Sequence, residues 1–295
     1  MRQQHYTVAG HTFSLEMAEK SPLWRQLQNY EPFLSEPEEN RTFCLKATPK
    51  TFSFQDFQLI YHADHPAPGD LVMNVFLKDK RYLIEFSSYQ EGEPTGQLLV
   101  DFEKREALLA FTDKLSLQAL FLNNALMTCF MLFTLDKNTL LTHASAVINQ
   151  GKAYLFLGKS GTGKSTHSRL WLENIEGTTL LNDDNPVIRL TQEGIAMAYG
   201  TPWSGKTPCY RNEAVPLGGI IRIRRALENQ AQRLNPIEAY ASLSTSCSRM
   251  PGDKRLDSER HATLSALIAH VPCWVMNCLP NPEAAKVCAT AVRIN

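Results

Sequence analysis

The sequence predicts an α/β protein in two parts: an N-terminal antiparallel β-rich α+β domain over residues 1–135 and a C-terminal domain with a mixed sheet over residues 136–295. Three observations carry this. Strand-like runs with turn signals fill the first 110 residues, an uncharged apolar stretch covers residues 115–135, and from residue 140 short apolar runs alternate with helical segments. At 295 residues the chain exceeds what one small core needs. Apolar residues at 43 % against 20 % charged, with only 15 Gly and 16 Pro, exclude a disordered, collagen-like or low-complexity chain.

In the N-terminal part, residues 6–17 alternate around Ala9-Gly10 as a hairpin does. Residues 71–86 give two apolar-rich runs joined at Lys78-Asp79-Lys80, and residues 98–102 add another strand. The loops between are rich in Glu and Pro, and no catalytic motif lies among them. His62, Asp64 and His65 are neighbours in sequence, but a polar loop before Pro66 accounts for them without a metal. The stretch at 115–135 is long enough to cross a bilayer. It carries Gln118, Asn123, Asn124 and several hydroxyls, which are costly in lipid, so a buried helix and no membrane contact are expected.

Net charge is zero, which argues against nucleic acid as a ligand, because a duplex binder carries a basic excess. The two parts differ, however. Residues 1–139 hold 13 Lys/Arg and 18 Asp/Glu, leaving 17 and 12 for residues 140–295, so the C-terminal part suits an anionic ligand. Seven cysteines, odd in number and without a CxxC pair, read as reduced thiols rather than a disulfide framework or a zinc ribbon. No apolar run follows Arg2, so no secretory signal is expected and the location read from the sequence is cytoplasmic.

The chemistry is concentrated after residue 140. Residues 144–148 and 153–157 are apolar runs, the second leading into GKSGTGKS at 158–165 and then a helical segment to about residue 174. With Gly158, Gly163, Lys164 and Ser165 in the fixed positions, this fits G-x-x-x-x-G-K-[ST], the P-loop pattern. A strand delivers the loop, glycines let backbone N–H groups turn toward phosphate oxygens, and a helix start adds its positive end. The candidate nucleotide-binding residues are therefore Gly158, Lys159, Ser160, Gly161, Thr162, Gly163, Lys164, Ser165 and Thr166. Lys164 is expected on the β- and γ-phosphates and the Ser165 hydroxyl on Mg²⁺, with ATP or ADP as the ligand.

Residues 178–181 read as a strand leading to Asp183-Asp184, 19 and 20 residues after Lys164. Two acids there can serve the metal and accept a hydroxyl proton, although an exposed acidic turn before Pro186 is the simpler alternative. His143 precedes Lys164 by 21 residues. If the two apolar runs pair as a hairpin, it lies at the sheet end near the phosphates, for acid/base work or phosphate contact; otherwise it is a structural histidine. Residues 187–190 and 195–199 bracket a turn as a second hairpin, which makes the sheet mixed. The loop GTPWSGKTPCYRN at 200–212 offers Lys206 and Arg211 as a clamp for phosphate or an acidic substrate, or merely connects. Arg222, Arg224 and Arg225 read as a solvated strand edge. Helices are expected at 237–243, 263–270 and 283–292, with a strand at 273–279.

Taken together, LTHASAV at 141–147, YLFLGKSGTGKS at 154–165 and LLNDDNPVIR at 180–189 resemble the catalytic domain of bacterial HPr kinase/phosphorylase and the kinase core of phosphoenolpyruvate carboxykinase. The histidine before the loop and the double aspartate after it make the combination specific. The resemblance implies a P-loop kinase domain of mixed sheet and an ATP-dependent phosphotransferase that uses Mg²⁺. It implies His143 beside the transferred phosphate, Asp183 as general base, Asp184 on the metal and Lys164 in catalysis. HPr kinases carry a glutamate directly after the P-loop serine, where this chain has Thr166, closer to the carboxykinase form. The chain is far shorter than a carboxykinase, and that enzyme's carboxylate-substrate and transition-metal ligands are not identifiable in it.

The acceptor, a hydroxyl or carboxyl on a small molecule or a protein, is not named by these residues. Two other readings stay open: a nucleotide-binding regulatory or scaffold protein without turnover, and an ATPase coupled to peptide or cofactor maturation. A homo-oligomer is compatible with either.

Overall fold

The computed structural model describes residues 1–62, 71–88, 94–111, 115–205 and 207–293. It divides into two compact units, Met1–Thr134 with Met250–Asp257, and Leu135–Arg249 with Ser258–Asn295.

In the first unit, β1 (Arg2–Val8) and β2 (His11–Met17) form a hairpin in register from Arg2↔Met17 to Val8↔His11. Then follow β3 (Phe43–Thr48), β4 (Gln58–His62), β5 (Leu71–Lys78), β6 (Arg81–Ser88), β7 (Pro94–Asp101) and β8 (Glu106–Phe111). They make an eight-stranded sheet of order β1-β2-β3-β8-β7-β6-β5-β4. The expected purely antiparallel sheet is corrected here, because β3 runs parallel to both β2 and β8. Alternation reports which face a residue occupies, not which way its strand runs. The connection from Met17 to Phe43 contains two 3-10 turns, Pro22–Gln26 and Gln28–Phe33, and is long enough to return the chain to the start of β2, so that Phe43 lies beside Phe13.

Helix α1 (Leu115–Thr134) packs on β3, β7 and β8. Phe13 stacks on Phe43 at 4.8 Å and Phe43 on Phe133 at 5.3 Å between ring centres. By length and composition the helix could cross a membrane. Its polar groups have partners within the protein: Tyr30 Oη donates to Asn123 Oδ1 at 3.0 Å, Asn124 Nδ2 to the Leu120 carbonyl at 2.8 Å, and Thr134 Oγ1 to the Phe130 carbonyl at 2.7 Å. His62 Nδ1 lies 2.6 Å from Asn74 Oδ1, whereas Asp64 and His65 lie outside the described residues.

The second unit contains β9 (Thr139–Leu141), β10 (Ala144–Asn149), β11 (Lys152–Leu157), α2 (Lys164–Asn174), β12 (Thr179–Asn182), β13 (Val187–Leu190), β14 (Ala196–Tyr199), β15 (Ala214–Arg225), β16 (Gln230–Arg233) and α3 (Pro236–Ser244). It ends with α4 (Lys254–His270), whose first turn groups with the other unit, then β17 (Cys273–Cys278) and α5 (Pro282–Ala291). The sheet order is β12-β10-β11-β15-β14-β13-β9, with β17 against β15 and β16 against β17. Only β11 with β15 and β15 with β17 are parallel, so the protein is mixed α/β with two sheets. Trp171 of α2 is wholly buried between Tyr154 and Phe156, in a core completed by Ile221, Ile223, Met276 and the inner face of α5.

Arg222, Arg224 and Arg225 are not on a sheet edge. Strand β15 pairs on both sides, with β11 as far as Leu157↔Arg222 and with β17 from Ile220↔Cys273 to Arg225↔Cys278. The alternation Ile221-Arg222-Ile223-Arg224 sends the isoleucines into the core and the arginines to the opposite face, where a cleft receives them.

Candidate functional site

The glycine loop leaves β11 and enters α2. Gly161 and Gly163 have φ of 74° and 113°, a backbone region strained for any residue with a Cβ. Gly163 is the N-cap of α2, and no side chain caps it. The first turn, which carries Ser165 and Thr166, therefore presents N–H groups and the positive end of the helix to the loop. From outside, the Arg225 guanidinium donates to the Gly161 and Thr162 carbonyls and braces the loop.

Lys164 is 7 % exposed, and its Nζ donates to the Gly158 carbonyl at 3.1 Å. It also lies 2.9 Å from His143 Nε2. Register explains the meeting. Because Ala144 pairs with Leu157 across β10 and β11, the residue before Ala144 stands beside the one after Leu157, which opens the loop. An ammonium donating to Nε2 requires a neutral imidazole with its proton on Nδ1. The electrostatics agree: burial and then Lys164 push His143 below its ordinary value, against the pull of Asp184. Burial likewise lowers Lys164; Asp184 opposes this and Arg222 adds to it.

On the other side of β10, the pair Ala146↔Asn182 brings the end of β12 to the same place. The two aspartates lie in the bend that follows β12 and go to different partners. Asp183 is 5 % exposed, and its Oδ1 accepts from Ser145 Oγ at 2.8 Å; Ser145 Oγ is itself 2.5 Å from Ser168 Oγ on α2. Asp184 stands open at the mouth of the loop, with Oδ1 3.5 Å from His143 Nε2. Burial pushes its carboxyl upward, and His143 and Lys164 pull it back. Asn182, wholly buried, holds this turn: its Oδ1 accepts from the N–H of Asp184 at 3.0 Å and of Asn185 at 2.8 Å, while Nδ2 donates to Thr201 Oγ1 at 3.1 Å.

Lys164, His143 and Asp184 thus converge, with Asp183 directly behind them. Arg211 is not brought to them. It donates to the Leu180 carbonyl at 2.8 Å and Thr179 Oγ1 at 3.2 Å and pairs with Glu213, at the end of β12 away from the aspartates. Lys206 lies outside the described residues. Sequence reasoning missed Ser145, Asn182, Arg222 and Arg225. Ser145 left one trace, a lone hydroxyl in a strand buried on both faces.

Two hollows adjoin the loop. A cleft of about 850 Å³ runs between Gly158–Thr162 and the arginine face of β15, closed by α3. A smaller pocket of about 370 Å³, mostly apolar, lies beside Gly163, Thr166 and Leu170 and reaches Cys278, Leu279 and Pro280.

No family model matches this chain, and no curated protein does. It is similar to solved structures. The Hpr(Ser) kinase/phosphatase from Coxiella burnetii aligns at 14 % identity and a TM-score of 0.30, over 52 % of this chain and 93 % of that one. At that level the chemistry has to come from the residues themselves.

Those residues suit one class of metal. Among the described residues, no group of three or more His, Cys, Asp or Glu converges as a cage. The exposed Ser165 hydroxyl and the open Asp184 carboxylate are hard oxygen donors. Mg²⁺ takes one or two such ligands from protein and completes its octahedron with water and phosphate oxygens, so the donor set fits Mg²⁺ carried with a nucleotide.

Proposed function

We propose that this protein is an ATP-dependent phosphotransferase with a P-loop kinase domain of the HPr kinase and carboxykinase type over residues 136–295. The observation that carries the reading is the convergence of Lys164, His143 and Asp184, 2.9 and 3.5 Å apart, at the uncapped start of α2. A glycine loop alone supports binding. A lysine, a neutral imidazole and two carboxylates around it add charge neutralisation and proton handling, which transfer needs.

In this reading the loop N–H groups and Lys164 hold the β- and γ-phosphates, and the apolar pocket beside Thr166 receives the base. Mg²⁺ on Ser165 and Asp184 would offset the phosphate charge. Lys164 exchanges its bond to His143 for one to a phosphate oxygen, which leaves the imidazole nitrogen facing the same oxygens. Asp183, oriented by Ser145, takes the proton of the acceptor hydroxyl as that oxygen bonds to the γ-phosphorus. The bond from the γ-phosphorus to the β-phosphate oxygen breaks, and ADP leaves; a carboxylate acceptor has no proton to give. The N-terminal domain over 1–135 is accessory to this chemistry.

The test is incubation with γ-labelled ATP and Mg²⁺ and a lysate divided into small molecules and proteins. Label is expected in one acceptor fraction and not with Lys164→Ala. Stoichiometric nucleotide binding with label remaining in ATP would instead assign the protein to nucleotide sensing or scaffolding, and label released only as phosphate to ATP hydrolysis.

A further inference from the structure

The larger cleft has a wall that the nucleotide does not need. Arg222 is half-buried there, and it is held by hydroxyls and a carbonyl rather than by a carboxylate. Its Nε donates to Ser242 Oγ at 2.9 Å, and Nη2 to the Ser242 carbonyl, to Thr245 Oγ1 at 3.1 Å and to Ser246 Oγ at 3.0 Å. Nη1 has no partner among the described residues. Arg224, two residues on and facing the same cleft, is exposed and likewise has none. The one acid in the lining, Glu238, is already engaged, since its Oε2 accepts from the Asn235 N–H at 3.0 Å in the capping box of α3. Of the three arginines lining the cavity, Arg225 is spent on the glycine-loop carbonyls, and Arg222 and Arg224 face it without a counter-ion. Burial and then the like charge of Arg224 disfavour the charged form of Arg222, and a bound anion relieves both.

The place is set relative to the chemistry. Arg222 pairs with Leu157, the residue before the glycine loop, and Ser246, which binds Arg222 through its hydroxyl, accepts the His143 N–H through its carbonyl at 2.7 Å. Ser246 thus links the Arg222 guanidinium to the backbone that carries His143. At about 850 Å³ the cleft lies within the size range of small-molecule sites.

We infer that the phosphoryl acceptor is a small molecule bearing an anionic group of its own, a carboxylate or a phosphate, which Arg222 and Arg224 hold in this cleft. The word acceptor rests on the phosphotransfer reading; the anion site does not. Guanidinium forks match the paired oxygens of both groups, so their shared chemistry is what the site recognises.

The experiment is calorimetric titration of inorganic phosphate and, separately, succinate into protein saturated with Mg²⁺ and a non-hydrolysable ATP analogue, which fills the γ position. Because Arg222 also anchors the end of α3, the primary variant is Arg224→Glu, on an exposed side chain without a partner, and Arg222→Gln is second. Wild-type protein is expected to bind at least one anion, and the choice between phosphate and succinate names the group. Arg224→Glu should weaken that binding about tenfold or more, the scale of a lost charge-assisted contact, and leave affinity for the analogue unchanged. Binding of neither anion, or equal binding by the variant, overturns the inference. So does a parallel loss of analogue affinity, which would give the arginines to the nucleotide's own phosphates. An analogue that produces no heat overturns the phosphotransfer reading instead. The same titration on nucleotide-free protein then decides the anion site, which stands if binding depends on Arg224 and falls if it does not.

Discussion

Lys164 Nζ lies 2.9 Å from His143 Nε2, so the ammonium donates to an imidazole whose protonation burial and that same ammonium disfavour. The coupling runs from the lysine to the histidine, beside the larger effect of burial. A protonated imidazole would face an ammonium, and removing the ammonium would leave burial, which lowers His143, opposed by Asp184.

Replacing Lys164 with Ala should therefore have two effects. Affinity for ATP falls by about 10- to 100-fold, the worth of a charge-assisted contact to phosphate. The imidazole of His143 also titrates at higher pH than in the wild type, because of the two causes that lower it, burial and the Lys164 cation, only burial remains, with Asp184 still opposing it. Calorimetry reads the first and an NMR titration of the imidazole C–H signals the second; an unmoved His143 signal would refute the coupling.

On the proposed mechanism the two aspartates have different roles. Asp183→Asn is expected to keep nucleotide binding and lower transfer by about 100-fold or more, the scale of a removed base. Asp184→Asn should instead weaken the Mg²⁺-dependent part of binding. Measured nucleotide affinity with and without Mg²⁺, beside turnover, distinguishes the two, and the opposite pattern would exchange their roles.

Ser145→Ala removes the donor from an almost fully buried carboxylate and costs about 1–3 kcal/mol of stability. Ser168→Ala touches the same chain of hydroxyls, so the double variant should cost less than the sum of the singles. Urea midpoints of the three variants test this, and strict additivity would mean that the serines act independently.

His167 supplies a pH dependence distinct from the site. It is buried, accepts from Trp171 Nε1 at 3.2 Å, and burial lowers it to about 4. The unfolded chain binds that proton near pH 6.5 and the folded chain does not. The neutral imidazole therefore contributes fully above pH 6.5 and loses its contribution as pH falls toward 4, up to about 3 kcal/mol. His167→Gln keeps an acceptor for the indole and should flatten the fall in urea midpoint between pH 7 and 5. A variant with the wild-type slope would place the titration elsewhere.

The elements that were legible in the sequence are those that local chemistry dictates. Ala9-Gly10 between alternating runs makes a hairpin, and the apolar run before Gly158 with the helix after it makes a strand, loop and helix. His143 was legible only conditionally, through the pairing of two strands that could be guessed from their short connection. Direction and destination were not legible. The long path to Phe43 sets β3 parallel, and nothing in its composition says so. The run Ile221-Arg222-Ile223-Arg224 reads like an edge because a central strand usually offers two apolar faces, and only the cleft accounts for this one. Arg211 sits in a loop of the right texture, but whether a guanidinium meets phosphate or the Leu180 carbonyl is decided by tertiary packing.

Residues 250–257 belong with the N-terminal unit although the chain has by then laid down most of the other. The attachment is close: a Cβ on Gly252 would stand 2.6 Å from the Ile60 carbonyl oxygen, and the Arg255 guanidinium lies 5.4 Å above the Phe102 ring. During synthesis the first unit thus emerges from the ribosome incomplete, and its last piece arrives after the glycine loop, α2 and β15. Residues 1–134 can form only part of the native unit before residues 250–257 are made. A chain ending at residue 249 is accordingly expected to carry an N-terminal unit that proteases cut faster than in the full-length protein.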